Sequence, residues 1–307
     1  MARMAGNPLT PRAEADVSAR IPSGRQEGEG SHKLMLILVP GVAWLFLFYL
    51  IPTLVMFRYS LLSNMPHIAP PTFTLSNYLD AFCTTLYARV FLRTARFSAS
   101  VTAMLLVSCF PLAYYFAKKS RHQKEMLVLL MIPFWTSQVL RAFAWMILLG
   151  RSGMVNVLLG KLQLIAEPLR LLYNWRAVTM GLFYSYIPYM ILPLYATIGR
   201  VDDALLEASA DLGANSWQTL WHVTIPLSLP GIVSGAALVF VASFTDVLSP
   251  TLLGGPSDEM ISSVIFNTFT MGSNWPLGSA LSFVLFTALL LAAALIMVAS
   301  SRVRYET

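Results

Sequence analysis

Two charged residues, Asp246 and Arg141, lie inside otherwise apolar stretches, and they are the first candidates for chemistry in this chain. A charge at the centre of a membrane costs about 2.5–3.5 kcal/mol on insertion scales, so each needs a partner or a task. Their opposite signs allow a mutual ion pair that could lock a gate. Alternatively, the carboxylate could receive a cationic solute. Arg141 stands 17 residues beyond Lys124, and Asp246 stands 16 beyond Pro230. At a rise of ~1.5 Å per residue both reach roughly 25 Å along their helices, hence a similar depth. Tyr184, Tyr186, Tyr189 and Tyr195 surround Pro188. Tyr186 and Tyr189 fall mid-stretch, where interfacial anchoring does not apply. Their rings could hold a cation or simply pack. Trp135 and Trp145 add aromatic surface around Arg141. Other chemistries lack their residues. His32, His67, His122 and His222 are scattered singly, and Cys83 and Cys109 suit no disulfide, so neither a metal nor a cofactor is expected. Gly160-Lys161 is followed by Leu162 with the wrong upstream glycine spacing for a phosphate loop, so no ATP site is expected either.

The elements that must position these residues are membrane helices. Of the 307 residues 56% are hydrophobic and 12% charged, and the mean hydropathy is +0.64. Soluble domains carry about twice that share of charge. Charge-free runs cover 34–57, 97–117, 126–140, 177–199, 223–245 and 260–301. About 20 apolar residues cross the hydrocarbon, and lipid forces every spanning backbone group to bond internally. The expected fold is all-α, polytopic, with six transmembrane helices at about 34–57, 97–117, 126–150, 177–199, 230–252 and 279–301. Residues 1–33 read as a disordered cytoplasmic tail, and 302–307 as a cytoplasmic C-terminus. The first run is too long for a signal-peptide core and reads as a retained anchor. Lys118, Lys119, Arg121 and Lys124 crowd one short loop, which places that loop and both termini in the cytoplasm. The net charge of +6 is thus a membrane signature, and no nucleic-acid partner is expected. Stretches 76–97 and 153–172 have amphipathic helical spacing and read as interfacial pieces on the opposite side.

The cytoplasmic loop 200–226 is polar yet patterned. Asp202 can cap a helix beginning at Asp203. Leu205, Ala208, Ser209 and Leu212 then share one face, expected to pack. Asp203, Glu207 and Asp211 share another, at i, i+4, i+8, either a solvated acidic face or a docking stripe for basic residues. Gly213 suits a C-terminal turn with positive φ. Ser216 can cap a second short helix presenting Trp217, Leu220 and Trp221, which Pro226 and Pro230 end.

Glu207-Ala208-Ser209, Gly213 and Ile225-Pro226 resemble the coupling loop of type I ABC-importer permeases. Ser209 stands where that family usually has alanine. Pro133-Phe134-Trp135-Thr136-Ser137, Leu140 to Trp145, Gly150, Gly153 and Asn156 are similar to the third span of spermidine/putrescine-type permeases. So are Asp246, Pro250, Leu253-Gly254-Gly255-Pro256 and Asn274 to Ala280. The resemblance implies a permease subunit of a bacterial inner membrane, importing polyamines or a similar small cationic solute. It also implies a second homologous permease, cytoplasmic ATP-binding subunits docked on Asp203, Glu207, Ala208, Asp211, Gly213, Trp217 and Pro226, and a soluble substrate-binding protein. Import of another small solute remains open. An ion-coupled secondary carrier would need several intramembrane acids, and only Asp246 qualifies. A membrane enzyme would need clustered His, Asp or Glu.

Overall fold

The structure, a computed structural model, describes residues 38–63, 70 and 72–304, with side chains through 294. The tail 1–33 and the last three residues lie outside the described residues. Among those described, regular structure is helical apart from one bridge between Leu62 and Phe73. The elements are α1 (Leu38–Ser60), α2 (Ser76–Cys83), α3 (Thr85–Lys119), α4 (Gln123–Met131), α5 (Gln138–Leu149), α6 (Met154–Lys161) and α7 (Trp175–Ile198). They continue as α8 (Asp203–Asp211), α9 (Ser216–Leu227), α10 (Leu229–Phe244), α11 (Leu248–Leu253), α12 (Ile261–Thr270) and α13 (Trp275–Arg304).

Five stretches of the described residues are long and apolar enough to cross a membrane, namely α1, α3, α5 continued by α6 (Gln138–Lys161), α7 and α13, and a sixth span results if α9 and α10, bent by 69°, count as one. The contacts divide the chain into two units, residues 1–56 and 57–307. In the first unit the helix passes through a π-turn at Phe46–Leu50 just before Pro52. Proline lacks an N–H and clashes with the carbonyl four residues back, and a wider turn relieves both.

The second unit is organised around α3, α7 and α10. Along α3 the buried residues include Val90, Thr94, Ser98, Val101, Leu105, Cys109, Ala113 and Ala117, at intervals of three and four, so they form one stripe. Several are small, which brings the partner helix close. Val178, Leu182, Met190, Ile191 and Leu194 of α7 and Val239 of α10 complete this core. A close approach to α7 is made at Gly231 and Gly235, a small-xxx-small pair on α10. A Cβ on Gly231 would stand 1.9 Å from Thr197 Oγ1 and 2.7 Å from the Pro193 carbonyl oxygen. The carbonyl belongs to a helix and cannot step aside. Gly231→Leu is therefore expected to cost at least the ~1–3 kcal/mol typical of overpacking. A lower melting temperature of the detergent-purified protein, with Gly160→Leu unchanged as control, checks this.

Several helix boundaries differ from the sequence expectation. The stretch 76–97 is not one interfacial helix: it breaks at Thr84, whose backbone is extended, and α3 starts at Thr85 rather than 97. The amphipathic piece at 153–172 is helical only over Met154–Lys161. The run 126–150 breaks where Pro133 forces a 3-10 turn over Ile132–Trp135, followed by extended Thr136 and Ser137. The run 230–252 stops at Phe244 and resumes at Leu248. The last helix begins at Trp275, four residues before the expected start.

Candidate functional site

The two broken spans meet. Asp246 sits in the gap between α10 and α11, only 4% exposed. Its carboxylate accepts four hydrogen bonds. Oδ2 receives Gln138 Nε2 at 2.9 Å, Tyr186 Oη at 2.9 Å and Ser249 Oγ at 3.0 Å, and Oδ1 receives the Ser249 backbone N–H at 3.0 Å. Its own carbonyl accepts from Ser262 Oγ. The side chain thus ties together the start of α5, the middle of α7 and the start of α11, and the backbone carbonyl of the same residue adds the start of α12. All these donors are neutral. Hydrogen bonds to a charged group contribute about 1.5–3 kcal/mol each, which is how a carboxylate can stay buried without a cation.

Arg141 is not that cation. The expected Arg141–Asp246 ion pair is absent; Gln138, one turn earlier on α5, holds the carboxylate instead. Arg141 turns back over the 3-10 break. Its Nη1 donates to the carbonyls of Phe134 (3.1 Å) and Thr136, and its guanidinium lies 5.5 Å from the centre of the Phe134 ring. The break at Pro133 leaves carbonyls without helical donors, and in lipid such groups need a partner. Arginine, with five donors, supplies it.

Aromatic rings frame this junction. Phe134 stacks on Tyr184 with centroids 5.2 Å apart, and Trp145 meets Tyr184 edge-on at 5.7 Å. Tyr189 meets Tyr186 edge-on at 5.6 Å and is 47% exposed, whereas Tyr186 is buried. Trp135 is exposed and touches none of these rings. Arg141 and Trp145 are thus linked through Phe134 and Tyr184, and Asp246 is linked to Tyr189 through Tyr186; the partners that sequence reasoning missed are Gln138 and Ser249. A polar Gln one turn before Arg141 in an apolar helix was the available signal.

The loop between α7 and α10 is the second candidate. Asp202 caps α8 by accepting the Ala204 N–H at 3.0 Å, as expected. The helix ends in a paired turn in which Gly213 N–H bonds Ala210 O (2.9 Å) and Ala214 N–H bonds Ser209 O (3.1 Å), with Gly213 at φ +84°. This is the glycine-dependent C-terminal motif that reverses the chain. The next cap is Asn215, not Ser216: Asn215 and Gln218 exchange side-chain and backbone bonds at 2.8 Å each way. Three residues of the face expected to pack do not. Leu205, Ala208 and Leu212 are exposed, Leu212 by 89%, and only Ser209 of that face turns inward. Its hydroxyl bonds Thr219 Oγ1 at 2.8 Å, clamping α8 to α9. Glu207, Asp211, Trp217, Trp221 and Pro226 are all exposed, with the two tryptophans edge-on at 5.9 Å. An acidic and apolar knob results, fastened internally and bare outside.

The sequence pattern of binding-protein-dependent transport system inner membrane components matches residues 34–305. The chain belongs to that family. It is a multi-pass inner-membrane transport component with the all-α fold of type I ABC importer permeases, and a member of a transport family rather than an enzyme family. This permease is 35% identical over 242 residues to the spermidine/putrescine transport system permease protein PotB of Haemophilus influenzae, covering 78% of this chain and 84% of that one. It is 35% identical over 251 residues to PotB of Escherichia coli K12, covering 81% and 91%. Against the inner membrane ABC transporter permease protein YdcU of the same organism the identity is 30% over 268 residues, covering 82% and 84%. Among solved structures, the bacterial alginate ABC transporter in complex with a pentasaccharide-bound periplasmic protein superposes with a TM-score of 0.72 at 18% identity, over 90% of this permease and 96% of that chain. The MetNI methionine ABC transporter gives 0.52 at 17%, over 73% and 97%.

Proposed function

We propose that this permease forms half of the translocation path of an ATP-driven importer for polyamines or a similar small cationic solute. The observation that carries the solute class is its 35% identity, over most of its length, to spermidine/putrescine permeases. The aromatic surroundings of Asp246 agree with it, since ring faces attract cations and the junction carries a buried carboxylate. Asp246 organises the junction rather than meeting solute directly: its oxygens are already occupied, and one of the groups it holds, Tyr186, stands edge-on to the half-exposed Tyr189. Trp135, Trp145 and Arg141 belong to the same wall or to the gate beside it.

The partners follow from the same reading. A second homologous permease closes the path. Separate ATP-binding subunits dock on the knob formed by Glu207, Ala208, Asp211, Gly213, Trp217 and Pro226, with both termini on the cytoplasmic side. A soluble binding protein delivers solute from the other side. ATP-driven movement of the docked subunits would then rock α8 and the spans attached to it.

Uptake tests the solute. Cells lacking the gene should lose uptake of labelled spermidine or putrescine and regain it on complementation, while glutamate uptake stays unchanged. Unaltered polyamine uptake with loss of a different solute would move the reading to that solute. In the same assay Tyr189→Ala is expected to lower uptake about tenfold while leaving protein abundance near wild type. Equal losses of both would make Tyr189 a packing residue.

A further inference from the structure

The expected docking stripe contained Asp203, yet Asp203 is already engaged. Its Oδ1 lies 2.7 Å from Lys118 Nζ. Among the described residues this is the one ion pair formed by a lysine or arginine with a carboxylate. The two ends are unlike. The Lys118 side chain is 8% exposed, and that of Asp203 is 74% exposed. Lys118 Nζ also donates to the carbonyl of Val201, itself buried. A lysine is seldom so covered, because its charge is costly to remove from water. Here it reaches from the end of α3 across 85 residues of sequence to the first residue of α8.

A second tie meets at the same corner. Gln123 Nε2 donates to the carbonyl of Ala117 at 3.0 Å, and its Oε1 accepts from Tyr195 Oη at 3.3 Å. The last turns of α3 and α7 and the start of α4 are thereby joined. The knob itself has two attachments to the membrane helices. At its C-terminal side α9 runs into α10. At its N-terminal side only the linker 199–202 connects it to α7, and Lys118 spans that linker by gripping Val201 and Asp203 together.

We propose that Lys118 is a strut that transmits movement of the docking knob to α3 and α7, with Asp203 as its anchor rather than a contact for the ATP-binding subunit. Lys118 is a positioning residue for coupling. Force applied to the exposed Glu207 and Asp211 face would otherwise be absorbed by the linker. The proposal rests on the importer reading above, and on the separate geometry of the Lys118 contacts.

The test uses the whole assembly reconstituted in proteoliposomes with its ATP-binding subunits, partner permease and binding protein, and labelled spermidine as probe. Solute moved per ATP hydrolysed is measured for wild type, Lys118→Met, Lys118→Arg and Asp203→Asn. Energetic coupling between sites usually amounts to about 5–150-fold, so Lys118→Met and Asp203→Asn are expected to lower this ratio at least fivefold. ATP hydrolysis and subunit recovery should persist, and Lys118→Arg should keep most of the ratio. If Lys118→Met does not accumulate, Asp203→Asn, a change at an exposed residue, decides alone. An unchanged ratio in Asp203→Asn overturns the strut, as does loss of subunit recovery in Asp203→Asn, which would return Asp203 to the docking surface. Absence of ATP-dependent spermidine uptake in wild type would overturn the polyamine-importer reading itself, a result visible before any variant is compared.

Discussion

Asp246→Ala is expected to reduce uptake by about a hundredfold or more, and to lower the thermal stability of the purified protein as well. The carboxylate satisfies Gln138 Nε2, Tyr186 Oη and both Ser249 donors. Each buried donor left without an acceptor costs about 1–3 kcal/mol. Several together rival the whole ~5–15 kcal/mol that holds a typical domain folded. Water entering the space left by the side chain would recover part of this, but not the geometry. The start of α5, the middle of α7 and the break after α10 would then no longer share an acceptor. Asp246→Asn is the milder change. It keeps one acceptor but points an N–H₂ at donors, so uptake should fall while the fold survives. Uptake per unit of protein and the melting temperature, measured together, decide the role. A stable Asp246→Ala protein without uptake would show direct contact with solute. Full uptake would show that the junction needs no carboxylate.

The second large effect concerns Gly213. It occupies φ +84°, and nothing lies within 4 Å of where its Cβ would be. Any penalty for a side chain is therefore backbone strain rather than collision. Left-handed geometry costs an L-residue roughly 1–2 kcal/mol, and more when branched at Cβ. Gly213→Val is expected to swing α8 away from α9, breaking the Ser209–Thr219 clamp, while the membrane core stays folded. Combined with Glu207→Lys, which reverses an exposed charge on the docking face, recovery of the ATP-binding subunit should fall at least tenfold. Gly213→Asn should be tolerated, since asparagine accepts this conformation. Co-purification of the companion subunits from detergent-solubilised membranes reads all three. Normal recovery with Gly213→Val would mean that the knob's shape does not matter to docking.

Much of the architecture was legible in the sequence because a membrane writes its requirements locally. Charge-free runs, lysines crowded at 118–124 and the glycine at 213 each carry their meaning within a few residues. What remained illegible depends on contacts between distant residues. The depth arithmetic puts Arg141 and Asp246 at a similar depth, but it cannot see that Pro133 breaks the span. The freed carbonyls of Phe134 and Thr136 then took the guanidinium, which left the carboxylate to Gln138. In the knob, periodicity marked Leu205, Ala208 and Leu212 as a packed face, because an apolar stripe for a partner looks the same as one for a core. Ser216 offers itself as a cap beside Asn215, and only Gln218, three residues beyond Asn215, tells them apart by completing the box. Lys118 read as one more cytoplasmic charge. Only the fold shows it turned inward onto Asp203.

The measurement that tests the central claim most directly is purification of the tagged permease from its native membranes in mild detergent, with every companion identified by mass. An ATP-binding subunit and a second homologous permease should be recovered with the wild-type chain and lost with the combined Glu207→Lys and Gly213→Val variant. A chain that purifies alone, or only with copies of itself, and still carries solute across proteoliposomes without ATP would contradict the account and leave an ion-coupled carrier in its place.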